Sequence, residues 1–79
     1  MMRNHPDWAI GLFERALKTR PESADAHFGL GNALARTNKI SRALPHFEEA
    51  LRLRPDWPDA KRSVEQARAI LEQAATQPH

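Results

Sequence analysis

The sequence predicts an all-α fold, an array of four antiparallel helices joined by short turns. The first observation behind this prediction is that apolar residues recur at spacings of three and four in four separate segments. The second is an internal repeat, because residues 4–21 match residues 38–55 at a shift of 34, with eight identical pairs among 18 compared. The identical pairs are Asn4/Asn38, Ala9/Ala43, Phe13/Phe47, Glu14/Glu48, Ala16/Ala50, Leu17/Leu51, Arg20/Arg54 and Pro21/Pro55. A repeat period of this length is typical of stacked helix pairs.

Length and composition predict one small domain over residues 1–79. The chain has no Cys, so neither disulfides nor thiolate zinc sites can stabilise it. Its 12 Lys and Arg residues are interspersed with 10 Asp and Glu residues. The pI of about 9.7 reflects the lack of Tyr and Cys, and we expect no nucleic-acid partner. No apolar run has the length of a signal peptide or a membrane span, so we expect a soluble, cytoplasmic protein without a membrane partner.

The first helix is predicted over residues 6–19. Its apolar residues share one stripe at helical spacing: Ala9, Ile10, Phe13, Ala16 and Leu17. Pro21 follows this helix, and a proline disfavours the helical conformation of the residue before it. The segment is therefore an amphipathic helix with a defined end.

The second helix is predicted over residues 24–37, with Ser23 as its N-cap. The core side of this helix comprises Ala26, His27, Leu30, Ala33 and Leu34. Two glycines stand in its interior, where each costs about 1 kcal/mol relative to Ala. We expect Gly31 to allow close approach of the neighbouring helix, which offsets that loss. For Gly29 the sequence offers only the interpretation that the helix tolerates a weak helix former.

The third helix is predicted over residues 40–53. Its apolar stripe comprises Ile40, Ala43, Leu44, Phe47, Ala50 and Leu51. Pro45 interrupts this stripe, and a proline in a helix interior removes a backbone hydrogen bond. We therefore expect a late helix start or a kink within residues 41–45.

The fourth helix is predicted over residues 58–75, with Pro58 and Asp59 favourable in its first turn. Its inward-facing residues are Ala60, Val64, Ala67, Leu71 and Ala74. Glu65 stands one repeat period after Gly31, and a charged side chain at that place predicts that no further helix packs there. We expect this helix to be a solubilising cap.

The repeat resembles the tetratricopeptide repeat, whose pattern is W-x2-L-G-x2-Y, then A-x3-F, then P, all within a single repeat. The matching residues here are His27, Leu30, Gly31, Leu34, Ala43, Phe47, Ala50 and Pro55, with His27 in place of Trp and Leu34 in place of Tyr. The resemblance implies a fragment of a right-handed α-solenoid, with half a repeat at residues 6–19, a complete helix pair at residues 24–53 and a capping helix. It also implies a non-enzymatic scaffold that holds a peptide or a partner helix in a concave groove.

The residues themselves offer little for catalysis, metal binding or cofactor binding. The four histidines show no pairing at i, i+4 on one helix, and His27 takes the place of a packed aromatic residue. Glu48 and Glu49 are adjacent and point in different directions, so we interpret them as a solvated face rather than an acid/base pair. We expect Trp8 and Trp57 to pack at helix junctions rather than to form a ligand platform.

The candidate peptide-binding residues form a stripe of mixed polar and apolar residues on the second helix, and the stripe continues on the fourth helix. The core does not require these residues: Asp25, Phe28, Asn32, Arg36, Arg62 and Gln66. Asn32 is expected to hydrogen-bond a peptide backbone, and Arg36 and Arg62 to hold carboxylates. Phe28 is expected to give apolar contact. The alternative interpretation is a solvated face with one exposed Phe.

The first helix offers a second kind of surface, because its apolar stripe is wider than one neighbouring helix needs. The candidate self-association residues are Trp8, Ile10, Leu12, Phe13 and Leu17. Fewer than three repeats seldom fold alone. The sequence therefore also predicts a homodimer, or a segment that docks onto the rest of a larger array.

Overall fold

The computed structural model describes the backbone of residues 6–76 and the side chains of residues 8–74. Four α-helices make up this part of the chain: α1 (Pro6–Thr19), α2 (Ala24–Arg36), α3 (Ile40–Leu53) and α4 (Pro58–Thr76). The described residues contain no β-strand. The all-α prediction is confirmed. The residues after Thr76, which follow the predicted cap, lie outside the described part.

Each helix packs against its neighbour in the chain, so α2 lies between α1 and α3, and α3 lies between α2 and α4. The resulting array measures 41 × 37 × 20 Å along its principal axes. Consecutive packing of this kind is how helical repeats bury apolar stripes that one helix pair cannot bury alone. The central position of α2 explains why this helix carries the largest set of buried residues: Ala26, Leu30, Gly31, Ala33 and Leu34.

Side-chain caps fix both ends of α2. The Ser23 side chain accepts a hydrogen bond from the backbone N–H of Ala26 at 3.1 Å, as its predicted N-cap role requires. The helix ends at Arg36 rather than at residue 37, because Thr37 is the C-cap and its hydroxyl donates to the Leu34 carbonyl at 2.9 Å. Asn38 follows with a φ of 65°, a left-handed conformation that Asn tolerates better than most residues. These contacts define the turn into α3.

Helix α3 begins at Ile40, so the predicted late start is wrong. The Ala43 N–H already donates to the Lys39 carbonyl at 2.9 Å, two residues before Pro45. Pro45 lies exposed inside the helix and removes only its own N–H from the hydrogen-bonding pattern. Helix α3 persists through Pro45 because Ala43 and Phe47 are buried on either side of it. A bend near Pro45 stays a prediction.

One apolar core runs through the array. Its fully buried members come from α2, α3 and α4: Leu30, Leu34, Ala43, Phe47, Val64 and Ala67. Ile10, Phe13 and Leu17 of α1 are partly buried against this cluster. The predicted inward face of α4 is correct for Ala60, Val64 and Ala67, whereas Ala74 is exposed.

Candidate protein-interaction surfaces

The predicted peptide-binding residues divide into an exposed group and one packed residue. Five of the six are exposed, three on α2 and two on α4: Asp25, Asn32, Arg36, Arg62 and Gln66. No ion pair within the described side chains involves Arg36 or Arg62, so both guanidinium groups face solvent unneutralised. Exposed cations of this kind can hold carboxylates of a partner.

Phe28 was predicted to belong to a stripe outside the core, but it packs against the core. It is half-buried, with its ring centroid 5.8 Å from that of Phe47 and 4.5 Å from that of Trp57. Both distances fall in the range of aromatic pairs, so Phe28 links the core of α3 to the segment that precedes α4. The assumption behind the predicted stripe is therefore wrong for this residue, although its partly exposed ring can still contact a partner.

Arg54 and Trp57 join this surface, although the sequence prediction did not include them in the site. The Arg54 guanidinium carbon lies 4.6 Å from the centroid of the Trp57 ring, within the range of a cation–π contact. Arg54 Nη1 also lies 3.6 Å from Asp25 Oδ1. Asp25 and Phe28 are thus tied to the turn between α3 and α4 through Arg54 and Trp57. Pro55 indicated in the sequence that a turn follows α3. Only the tertiary packing determined that residues of this turn contact Asp25 and Phe28.

Ile70 is a second residue that the site prediction missed. It lies on α4, is 48% exposed, and stands one repeat period after Arg36. The period therefore assigns it to the position on α4 that Arg36 holds on α2. The repeat period is therefore the feature of the sequence from which Ile70 could have been predicted as a site residue. An exposed aliphatic side chain at this position adds apolar area to the surface that Arg62 and Gln66 begin.

The predicted self-association residues of α1 also divide into two groups. Ile10, Phe13 and Leu17 pack against the core, so they are not available as a flat interface. Trp8 is 70% exposed and Leu12 is 43% exposed. The Trp8 side chain therefore does not pack at a helix junction as predicted, whereas Trp57 does.

A comparison within the repeat shows why the α1 face is open. Ala50 of α3 is completely buried, whereas Ala16, its repeat equivalent on α1, is exposed. Helix α3 has a neighbour on each side, but α1 packs closely against α2 alone. The uncovered side of α1 therefore carries Trp8, Leu12 and Ala16.

His27 and His46 form a pair that joins α2 to α3. The His27 Nε2 lies 2.9 Å from the Pro21 carbonyl oxygen, and its Nδ1 lies 3.1 Å from the Nδ1 of His46. Burial, followed by the charges of His27 and Arg42, lowers the pKa of His46. The sequence prediction considered only pairs within one helix and missed this one. Among the described residues, no group of three or more His, Cys, Asp or Glu side chains converges as a metal site.

This architecture defines a helical-repeat protein, built from stacked helix pairs with exposed side chains on successive helices. The tetratricopeptide repeat family model matches residues 3–58, and the chain belongs to the tetratricopeptide repeat family. Repeats of this family generally mediate protein–protein interaction. No curated protein matches the chain. None of the described helices is long and apolar enough to cross a membrane.

Proposed function

We propose that the chain is a scaffold that binds an extended peptide or a partner helix across the exposed faces of α2 and α4. The observation that carries this proposal is the combination of a half-buried aromatic pair, Phe28 and Trp57, with the unpaired cations Arg36 and Arg62. An apolar anchor surrounded by polar groups is the usual composition of a peptide-binding surface.

Each group on this surface has a separate role in the proposal. The rings of Phe28 and Trp57 receive an apolar side chain of the partner, and Asn32 hydrogen-bonds the partner's backbone. Arg36 and Arg62 pair with carboxylates, because a guanidinium group can form two parallel hydrogen bonds with one carboxylate. Asp25 is partly neutralised by Arg54, which leaves the surface with an excess of positive charge at the arginines. We therefore expect a partner with acidic residues next to an apolar one.

A peptide-display selection on the immobilised chain tests this function. The selected peptides are then measured by fluorescence polarisation against the chain and against an Asn32→Ala, Arg36→Ala double variant. We expect the double variant to bind at least about tenfold more weakly, which corresponds to about 1.4 kcal/mol.

The matched control is the Lys39→Ala, Arg42→Ala double variant, which removes exposed cations near the start of α3. It is expected to bind like the unmodified chain. A control variant that binds as weakly as the Asn32→Ala, Arg36→Ala variant, or more weakly, would contradict the proposed surface, because the control removes two positive charges and the test variant only one.

The exposed side of α1 supports a second candidate function, self-association through Trp8 and Leu12. The test is light scattering over a concentration series, compared with the 9.0 kDa mass of one chain. A concentration-dependent dimer that Leu12→Asp abolishes, while Arg15→Asp does not, supports this function. Ile10 is unsuitable for that test because it packs against the core. A mass near that of one chain at every concentration would contradict self-association.

A further inference from the structure

We propose that the exposed side of α1 binds the same side of α1 in a second copy of the chain, with the two helices antiparallel and related by a twofold axis at Leu12. This inference rests on the self-association proposed above. It adds which helix the exposed side of α1 contacts and in which direction that helix runs. It does not depend on the proposed peptide-binding residues.

The residues of this contact have sizes that complement one another when the helix meets itself. Trp8, Leu12 and Ala16 are all exposed and follow one another at intervals of four residues, which is one of the ridges through which helices interlock. A twofold axis at Leu12 brings the two copies of this residue together. It also sets Trp8 of each copy opposite Ala16 of the other, because both lie four residues from Leu12. A large side chain therefore meets a small one at each end of the contact.

The charged side chains described on α1 leave this contact free. Glu14 and Lys18 lie two and six residues after Leu12, and a turn of about 100° per residue takes both to the other side of the helix. Arg15 lies beside the contact. Antiparallel packing places the two copies of Arg15 towards opposite ends, about 9 Å apart along the helix axis. The contact therefore buries apolar side chains without bringing like charges together.

The outer side of α4 does not fit the exposed side of α1. Within the chain, α2 contacts α3 through His27 and Gly31. One repeat period later, α4 has Lys61 and Glu65, and both are exposed. A head-to-tail stack, with α4 of one copy against α1 of the next, would bury these two charges against apolar side chains, which is costly. A twofold contact buries neither charge and closes at two copies.

The contact is small, since residues 8–16 cover little more than two turns of one helix. Interfaces of this size belong to weak and transient complexes. We therefore expect a dimer that dissociates on dilution.

Cysteine cross-linking tests the direction of the contact, because the chain contains no Cys of its own. Leu12→Cys and Ala16→Cys are oxidised separately in a glutathione buffer, at a concentration where light scattering shows association. Leu12→Cys should form a disulfide-linked dimer, since the two copies meet at the axis. Ala16→Cys should form at least about tenfold less, because its copies lie about 12 Å apart along the helix axis and a disulfide needs Cα atoms within about 7 Å. Asp56→Cys, exposed before α4, measures random collisions.

A mixture of Trp8→Cys and Ala16→Cys provides a second test that leaves Leu12 in place. Disulfides between the two variants should exceed those within either variant, because antiparallel packing sets these two positions opposite each other. This test decides if Leu12→Cys itself weakens association.

The other results separate this inference from self-association as such. Cross-linking of both Leu12→Cys and Ala16→Cys above the Asp56→Cys background would overturn the antiparallel arrangement in favour of a parallel one. Association without cross-linking above that background, in the single variants and in the mixture, would overturn it in favour of a head-to-tail stack. Self-association would stand in both cases. The mass of one chain at every concentration would overturn this inference together with self-association, and would assign the exposed side of α1 to a partner of different sequence.

Discussion

The ring of Phe47 occupies the space where a side chain on Gly31 would stand. A Cβ built on Gly31 would lie 2.7 Å from each of two ring atoms of Phe47, closer than real Cβ contacts. Gly29 has the same relationship with Phe13, since a Cβ there would lie within 3.0 Å of three atoms of that ring. Helix α2 thus accepts one phenylalanine from each neighbouring helix, and the two phenylalanines are repeat equivalents. Ring packing offsets the helix-propensity loss of both glycines.

Alanine substitutions at the three glycines should rank in a defined order. Gly11→Ala meets nothing within 4 Å and should stabilise the fold by ~0.5–1 kcal/mol through helix propensity. Gly31→Ala has the same gain in helix propensity, but the clash of its Cβ with Phe47 should cost ~1–3 kcal/mol, because Phe47 is only 3% exposed and cannot move away. The net effect should be a loss of stability. Gly29→Ala should fall between them, since Phe13 lies at the edge of the core. Urea unfolding followed by circular dichroism measures the order, and a stabilising Gly31→Ala would contradict it.

Pro45 should be a source of instability that one substitution removes. Pro45→Ala restores a backbone donor in α3, and the exposed position means that no cavity is left behind. We expect a gain of up to ~3 kcal/mol in the free energy of unfolding, the general penalty of an interior proline. Urea unfolding measures it, with the exposed Ser41→Ala as the control from the same helix. An unchanged or lower stability would mean that α3 requires the geometry that proline imposes.

The two tryptophans should report opposite environments. In Trp8→Phe the remaining Trp57 should fluoresce at shorter wavelength and resist acrylamide quenching, because it packs against Phe28 and Arg54. In Trp57→Phe the remaining Trp8 should be quenched readily, since it is 70% exposed in the single chain. Quenching of Trp8 that declines as protein concentration rises would show that a second copy covers it. Equal quenching of both residues in dilute solution would contradict the structure.

Apolar packing rather than the ion pair should hold α4 to α3. Arg68 Nη2 lies 2.9 Å from Glu48 Oε2, but both side chains are substantially exposed, so Arg68→Gln should cost at most ~1 kcal/mol. Val64 is 4% exposed, and Val64→Ala should cost ~2 kcal/mol through lost burial and the cavity left behind. Thermal or urea unfolding of both variants measures the comparison. A larger loss for Arg68→Gln would show that the ion pair dominates this contact.

The site was only partly accessible to prediction. Helical spacing placed Asp25, Asn32 and Arg36 on one exposed stripe of α2, and the stripe was extended to Arg62 and Gln66 of α4; the structure shows all five exposed. Helical spacing could not show that Phe28 packs against Phe47 and Trp57, because a helical period says which residues share a face but not what covers that face. The sequence prediction also treated the α1 stripe as one surface, whereas packing on α2 buries part of that stripe and leaves Trp8 and Leu12 exposed.

The sequence by itself determined the four helices, their order and the repeat, because these depend on local features: apolar spacing, the Ser23 cap and the prolines after α1 and α3. Only the tertiary structure decided the role of Gly29 and the meeting of His27 with His46. Both depend on how far one helix is displaced along its neighbour. That displacement follows from how side chains of two helices interlock, which no single helix encodes.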